Sequence, residues 1–245
     1  MKTTRFYKNA VLLLSVGLSF GSCLNDKDDE FTVMTDVVTL KKMINDEVKY
    51  APAYYAYGNQ SIASGTVTLP DGETVQLESF SASTYTFLIE PDDEDFTTTP
   101  PAEGNYLFEV TSANGEVLES SDNQEFDDLG FAVVDSMGFD EDDTYLYLTW
   151  NEVTGADYYV VRLLDSSGDI VFTGYSVEGD ETEYYISSYY TTTGTWTVTP
   201  TDGATYTLRI QTAKYDPDAT EDNNIYNIQE LNVSDTEITW RSGSN

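Results

Sequence analysis

The sequence contains no histidine, one cysteine, and only 11 lysine and arginine residues against 44 aspartate and glutamate residues. Without histidine the chain cannot form a Ser-His-Asp or Cys-His nucleophile pair, and it offers no imidazole to a metal. A single cysteine excludes an internal disulfide and a thiolate cage for zinc or an iron–sulfur cluster. The formal net charge of -33 argues against a nucleic-acid partner, because binding to phosphates depends on lysine and arginine.

Catalytic motifs are also missing. The sequence has no glycine-rich phosphate loop and no other catalytic signature. Paired carboxylates can hydrolyse glycosidic bonds, but among 44 acidic residues no pair can be singled out. We therefore expect a protein that is not an enzyme and that needs no cofactor, apart from the calcium ion considered below.

Residues 1–22 have the pattern of a secretory signal peptide. Three basic residues precede an apolar run at residues 10–20. This run is about half of the ~20 residues that a membrane-spanning helix needs. The leader is therefore predicted to be a signal sequence and not a membrane helix.

Cys23 follows the leader directly after two small residues, Gly21 and Ser22. This arrangement resembles the lipobox of bacterial lipoproteins, in which the cysteine is acylated and becomes the first residue of the mature chain. Acylation with several chains is sufficient for stable anchoring in a membrane. The alternative is a chance cysteine beside an ordinary cleavage site.

An acidic tether is predicted over residues 23–35. Its run Lys27-Asp28-Asp29-Glu30 resembles the surface-export signal of Bacteroidota-type lipoproteins. That resemblance implies a lipid-anchored protein of the outer membrane that faces the cell exterior. A solvated linker of the same composition is the alternative.

The acidic residues are distributed unevenly. Between residues 51 and 161 there are 23 acidic residues and no lysine or arginine. Such a segment cannot fold by ion pairing, so its acids must lie outside an apolar core. Solubility is the simple explanation for this charge, and a surface that attracts cations such as Ca²⁺ or a basic partner is the alternative.

Two parts of the chain resemble each other at an offset of 100 residues. Residues 99–113 recur as residues 199–213, with threonine, proline, tyrosine and alanine at the same places and conservative replacements between them. A period of this length indicates two copies of a domain of about 100 residues and not a solenoid.

Apolar and polar residues alternate in many segments, as they do in half-buried strands. Threonine, tyrosine and valine, which strands favour, are abundant. Asn114-Gly115, between two such segments, predicts a type I′ hairpin turn. Only residues 38–48 have a helical pattern, and they could equally be the first strand and its turn.

Residues 145–213 resemble a fibronectin type III domain. Leu146-Tyr-Leu-Thr-Trp150 matches the second strand of that family, and residues 196–210 match its fifth and sixth strands. The resemblance implies that Trp150 is a core residue. It also implies that the Tyr206 hydroxyl bonds to upstream backbone as a tyrosine corner.

We therefore predict an all-β fold of two tandem immunoglobulin-like (fibronectin type III-like) β-sandwiches behind a lipoprotein signal peptide. The N-terminal sandwich would span residues 36–125 and the C-terminal sandwich residues 130–241. In the first copy the resemblance depends mainly on Tyr106 and its apolar neighbours. In the first copy, Tyr57 occupies the position that corresponds to Trp150 in the second copy.

The 19 tyrosines, several of them in doublets, are candidates for ligand contact. In a strand, one member of a doublet faces the core and the other faces outward. Outward tyrosines could stack against sugar rings, although tyrosine is also a good strand residue in its own right. Tyr189 and Tyr190, beside a run of threonine and glycine, are the candidate ligand-binding residues.

Asp216, Asp218 and Asp222 lie in an acidic loop after the predicted sixth strand. Acids at alternate positions resemble an oxygen-ligand calcium site. The central glycine and the glutamate at the twelfth position of an EF-hand are absent. In a chain this acidic, such clusters also arise by chance.

These features predict a cell-surface lipoprotein that acts as a non-catalytic binding or adhesion module, held to the membrane by the lipid on Cys23. Its partner would be an extracellular glycan or protein. The alternatives are a glycan-binding accessory of a polysaccharide-uptake system, which the leader and the fibronectin-like domains imply by resemblance, and a structural spacer. Outward-facing aromatic residues at one sandwich tip would favour the glycan-binding alternative.

Overall fold

The computed structural model describes residues 30–80, 82–187, 191–220 and 227–241. Within these ranges the regular structure is β, apart from one short 3-10 turn at Asp93–Asp95. The all-β prediction is confirmed. Across the described ranges, no helix is long and apolar enough to cross a membrane.

The chain divides into two compact units. Of the described residues, 30–127 and 215–230 form the N-terminal unit, and 128–214 and 231–241 form the C-terminal unit. Each unit has its own cluster of buried apolar side chains.

This division differs from the predicted one chiefly in residues 215–230, which the prediction places in the sandwich at 130–241. The structure groups them with the N-terminal unit. Hydrogen bonds explain the difference, since the Ile228 N–H donates to both carboxylate oxygens of Asp36 at 3.3 Å. Alternating sequence patterns do not reveal such long-range pairing.

The N-terminal unit contains two antiparallel sheets. Its strands are β1 (Val33–Ile44), β2 (Glu47–Gly58), β3 (Ile62–Thr68), β4 (Thr74–Gln76), β5 (Glu78–Ser79), β6 (Thr86–Ile89), β7 (Gly104–Ser112) and β8 (Val117–Gln124). Strands β1, β2, β6 and β5 are consecutive in one sheet, and the other sheet has the order β4-β3-β7-β8. The core between them includes Val37, Tyr54, Val67, Tyr106 and Phe108.

Residues 38–48 lie in the hairpin of β1 and β2 and not in a helix. Asn45 and Asp46 form its two-residue turn, with φ angles of 53° and 63°. Asparagine and aspartate adopt such positive φ angles more readily than other residues that carry a side chain. The alternative of a first strand with its turn is therefore confirmed.

Alternation along β2 separates its tyrosines. Tyr54 and Ala56 point into the core between the two sheets. Tyr55 and Tyr57 point to the opposite face, where their rings stack with centroids 5.9 Å apart. The prediction that Tyr57 takes the place of Trp150 is therefore wrong, because Tyr57 is on the other side of its strand.

The C-terminal unit is also a pair of antiparallel sheets. Its strands are β9 (Val134–Phe139), β10 (Tyr145–Trp150), β11 (Tyr158–Leu164), β12 (Ile170–Gly174), β13 (Val177–Glu178), β14 (Glu183–Ser187), β15 (Gly194–Trp196), β16 (Thr205–Tyr215) and β17 (Ile228–Thr239). One sheet has the order β14-β10-β9, and strands β15, β12, β11, β16 and β17 are consecutive in the other, where β13 also pairs with β11. The last residue of β16 and the first three of β17 belong to the N-terminal unit.

The fifth strand of the fibronectin-like domain differs from the prediction. The sequence predicts that it begins at Trp196, but in the structure Glu183–Ser187 pairs with β10 and takes the place of that strand. Gly194–Trp196 is a short edge strand beside β12. Gly194 makes this pairing possible, because a Cβ atom there would collide with the Thr173 carbonyl oxygen.

The two units share one strand arrangement. Strands β1, β2 and β6 form a sheet in the N-terminal unit as β9, β10 and β14 do in the C-terminal unit. Strands β4, β3, β7 and β8 likewise correspond to β12, β11, β16 and β17. The repeat at an offset of 100 residues therefore reflects two copies of one sandwich, and the predicted fold class is confirmed.

The hydroxyls of both repeated tyrosines bond to upstream backbone. The Tyr206 hydroxyl accepts a bond from the Thr201 N–H at 2.9 Å. The Tyr106 hydroxyl donates to the Ala102 carbonyl at 2.7 Å. The tyrosine corner predicted at Tyr206 is confirmed, and the structure adds a second at Tyr106.

The hairpin predicted at Asn114-Gly115 joins β7 to β8, but its turn is not type I′. That type needs positive φ at both central residues, and only Gly115 has one, at 86°. The Gly115 N–H bonds to the Ser112 carbonyl at 3.0 Å, and the Ser112 N–H bonds to the Glu116 carbonyl at 2.8 Å. These bonds define a three-residue loop with a glycine bulge.

Candidate functional sites

Three tyrosines lie together on the outer face of the sheet of β9, β10 and β14. Tyr145 and Tyr147 are on β10, and Tyr147 is directly opposite Tyr185 on β14. We call Tyr145, Tyr147 and Tyr185 the tyrosine patch. Their ring centroids are 5.7–6.0 Å apart. Tyr147 is 51% exposed and Tyr185 is 40% exposed, so rings that contact one another still present much of their surface to solvent.

Strand alternation produces the tyrosine patch. Leu146, Leu148, Tyr184 and Ile186 point into the core of the C-terminal unit, so the residues between them point outward. Gly138 on β9 faces Tyr147 from the other side, and the position of its absent Cβ is open. No side chain at that position therefore covers the Tyr147 ring.

The rings of the tyrosine patch are tilted against one another by 39–79°. They therefore present ring faces in several directions and not a single plane. Exposed aromatic faces offer apolar contact area, and the hydroxyl at each ring's end can exchange hydrogen bonds with a polar ligand. These are the properties that contact with a sugar ring requires.

The doublet rule holds for Tyr184 and Tyr185, of which the first is buried and the second exposed. It fails for Tyr54 and Tyr55, both buried, because both faces of β2 are covered at that point. The tyrosine patch also lies on a sheet face and not at a sandwich tip. Tyr189 and Tyr190 lie outside the described residues, so their role in ligand contact stays a prediction.

A second candidate site is a group of three carboxylates in the N-terminal unit. Asp36 is on β1, Asp122 is on β8, and Asp216 directly follows β16. One carboxylate oxygen from each lies within 4.8 Å of the others. We call Asp36, Asp122 and Asp216 the carboxylate triad. Asp36 and Asp216 are only 2% and 6% exposed, while Asp122 is half-buried.

Backbone groups hold two members of the triad. The Val37 N–H donates to Asp122 Oδ2 at 2.7 Å, and the Ile228 N–H donates to Asp36. Asp216 differs, because neither of its carboxylate oxygens has a hydrogen-bond partner within the described part of the chain. Its own N–H bonds to the Asn227 carbonyl at 3.0 Å, which fixes the backbone from which the side chain extends.

Burial and mutual repulsion make ionisation of the triad unfavourable. Burial, followed by the charges of Asp122 and Asp216, raises the pKa of Asp36 well above its usual range. Burial, followed by the charges of Asp122 and Asp218, raises the pKa of Asp216 to about 7. Burial also raises the pKa of Asp122, although the bond from Val37 opposes this shift. Within the described ranges, no lysine or arginine forms an ion pair with the triad.

Of the predicted metal ligands, the structure places only Asp216 in the triad. Asp218 is exposed, and its charge acts on Asp216 and Asp122. Asp222 lies outside the described residues, as does Cys23. Sequence reasoning missed Asp36, although an acid inside the run Val33-Met-Thr-Asp-Val-Val-Thr-Leu40 is a signal, since a buried strand seldom contains an unpaired charge.

Comparison with known proteins gives no family. No family model matches the sequence, and no curated protein matches it. The solved structures that resemble it include a segment of two fibronectin type III domains from chicken tenascin, at 11% identity over 76% of this chain and 91% of that one, with a TM-score of 0.29.

Two further solved structures come from adhesion and biofilm proteins. One is a tetra-tandem repeat from the extending region of a large adhesion protein, at 17% identity over 86% of this chain and 50% of that one, with a TM-score of 0.24. The other is the BSP domain of a biofilm associated protein, at 14% identity over 85% of this chain and 30% of that one, also with a TM-score of 0.24. Identities and scores this low transfer no ligand, partner or activity.

Proposed function

We propose that this protein is a non-catalytic binding module of the cell surface and that the tyrosine patch contacts a glycan. The observation that carries this proposal is the exposure of Tyr147 and Tyr185, 51% and 40%, while their rings contact each other and Tyr145. Three aromatic rings held at one place on a regular sheet form a pre-organised contact surface, which lowers the entropy lost on binding.

A neutral glycan fits this surface better than an acidic or nucleic-acid ligand. The net charge of -33 repels anions. A neutral sugar, in contrast, has apolar ring faces that can stack on a tyrosine ring and hydroxyls that can hydrogen-bond to the tyrosine hydroxyl. Carboxylates can also bond to sugar hydroxyls, but water competes well for those groups. We therefore expect the tyrosines, and not the acids, to supply the affinity.

Replacing Tyr147 with alanine should weaken glycan binding about fivefold, because the loss of one stacking ring costs on the order of 1 kcal/mol. The measurement is a titration of the full chain, purified in detergent, with a panel of neutral polysaccharides. Tyr185→Ala should have a similar effect. Tyr175→Ala is the matched control, since Tyr175 is 56% exposed and lies outside the patch.

Wild-type affinity in both patch variants would remove the tyrosine patch from the binding surface. If no neutral polysaccharide binds the wild-type protein, the glycan assignment is wrong. The exposed rings would then be better explained as a binding surface for a protein partner.

The proposed location depends on Cys23, which we infer to be the acylated anchor. Its position directly after the apolar leader supports this inference. Replacing Cys23 with serine should release the protein from the outer-membrane fraction, because no acyl chain can then hold it there. Cell fractionation of wild type and variant measures this, and firm retention of Cys23→Ser in the membrane would contradict the anchor.

A further inference from the structure

We propose that Asp36, Asp122 and Asp216 bind a calcium ion within the N-terminal unit. This site is separate from the tyrosine patch, and its existence does not depend on the proposed function. The ligand set is made only of oxygen atoms, which suits hard divalent cations.

The triad suits calcium better than magnesium. Its three oxygens lie within 4.8 Å of one another. Calcium takes oxygen ligands at about 2.3–2.6 Å, so an ion between the side chains can contact all three without a large movement of any strand. Magnesium demands near-ideal octahedral geometry and gives up its water ligands reluctantly, so it suits a buried set of three carboxylates less well.

The environment of Asp216 also indicates a bound cation. It is 6% exposed, and neither carboxylate oxygen has a hydrogen-bond partner within the described part of the chain. A buried carboxylate without partners is unfavourable in proteins. An ion in the triad would satisfy these oxygens and would also neutralise two of the three negative charges.

Two strands and a hydrogen-bonded turn hold the three aspartates of the triad in position. Asp36 and Asp122 project from strands β1 and β8 of the two sheets and accept bonds from the backbone of Ile228 and Val37. Asp216 begins a turn in which the Ala219 N–H bonds to the Asp216 carbonyl at 3.0 Å. A site built in this way is pre-organised, because backbone hydrogen bonds and not long flexible side chains set its geometry.

The other acidic clusters lack these properties. In the cluster at 140–143, Asp140 accepts bonds from the N–H groups of Thr144 and Tyr145 and so closes a turn. In the cluster at 92–95, Asp95 accepts a bond from the Asp92 N–H in the 3-10 turn. Both clusters are half-buried or exposed. Asp93 is paired with Lys42 and Asp143 with Arg241, so each of these clusters, unlike the triad, has a basic side chain as a partner among the described residues.

The experiment uses the full chain in detergent, stripped of metal with EDTA and then titrated with calcium chloride. Thermal unfolding should shift to a higher midpoint as calcium is added, because an ion that binds only the folded state stabilises it. Terbium luminescence gives a second readout. Tyr55 is directly opposite Asp36 in the pairing of β1 with β2, and Tyr106 is directly opposite Asp122 in the pairing of β7 with β8. An ion bound in the triad would therefore lie near both rings, which can excite it.

Asp216→Asn and Asp122→Asn are the test variants, and Asp142→Asn is the matched control in another acidic cluster. Each test variant should lose about tenfold or more in calcium affinity, since affinity follows the number of charged ligands, and should lose most of the terbium signal. Asp216→Asn should fold normally, because it removes a repelling charge and no hydrogen bond to its oxygens. The control should respond to calcium as wild type does.

Two results would overturn the site, and a third would overturn the identity of the ion. The first is the absence of a calcium shift in the wild-type protein, which would mean that the triad stays metal-free and partly protonated. The second is an equal shift in all variants, which would mean that calcium binds elsewhere on the acidic surface. A larger shift with magnesium than with calcium would overturn the identity of the ion.

Discussion

Replacing Trp150 with alanine is expected to lower the free energy of unfolding of the C-terminal unit by about 3–5 kcal/mol, the usual cost of truncating a buried aromatic side chain. Trp150 is 2% exposed. Its ring meets that of Tyr159 edge-on, with centroids 5.3 Å apart. Alanine would leave a cavity between the sheets that the strands cannot close without losing their hydrogen-bonded register.

Guanidinium denaturation followed by tryptophan fluorescence measures this change. All three tryptophans, Trp150, Trp196 and Trp240, are in the C-terminal unit, so the signal of the variant still reports on that unit. Val198→Ala is the matched control, because Val198 is 59% exposed and its truncation should change stability by less than about 0.5 kcal/mol. An unchanged midpoint for Trp150→Ala would remove this residue from the core.

Replacing Trp240 with alanine is expected to have an effect of similar size, about 3–5 kcal/mol. Trp240 is 1% exposed although it follows the last strand. Its ring centroid lies 5.3 Å from those of Phe139 and Trp196, and its backbone N–H donates to the Ala204 carbonyl at 2.8 Å. The side chain therefore closes one end of the sandwich core.

The same denaturation measurement tests this prediction. Arg241→Ala is the control, since Arg241 is the next residue and its ion pair with Asp143 is partly exposed. Such a pair contributes about 0–1 kcal/mol. A Trp240→Ala midpoint equal to that of Arg241→Ala would show that the end of the chain does not belong to the core.

Local patterns were sufficient to predict the fold class. Alternation at residues 145–150 and the repeat at an offset of 100 both reflect short-range constraints, and they predict strands and their duplication. The core position of Trp150 follows from the same alternation. The error at Tyr57 has the same origin, since a shift of one residue in the assumed alignment moves a side chain to the opposite face of a strand.

The sites could not be assembled from the sequence in the same way. Tyr147 and Tyr185 are neighbours because the register of β10 with β14 places them directly opposite each other. That register cannot be predicted from the sequence alone. The carboxylate triad joins residues 36, 122 and 216, which are far apart along the chain. The sequence indicates only Asp216 as a candidate, because it begins an acidic loop. Asp36 and Asp122 become candidate ligands only when β1 and β8 bring them close to Asp216.

Nuclear magnetic resonance of ring-labelled tyrosine would show whether the tyrosine patch is the ligand-binding surface that we propose. Spectra of the full chain would be recorded during titration with an oligosaccharide that the protein binds, with single Tyr-to-Phe variants to assign the signals. We expect the ring signals of Tyr145, Tyr147 and Tyr185 to shift together and the signal of Tyr175 to stay in place. If the oligosaccharide binds and leaves these three signals unchanged, whichever other tyrosines respond, the tyrosine patch is not the binding surface.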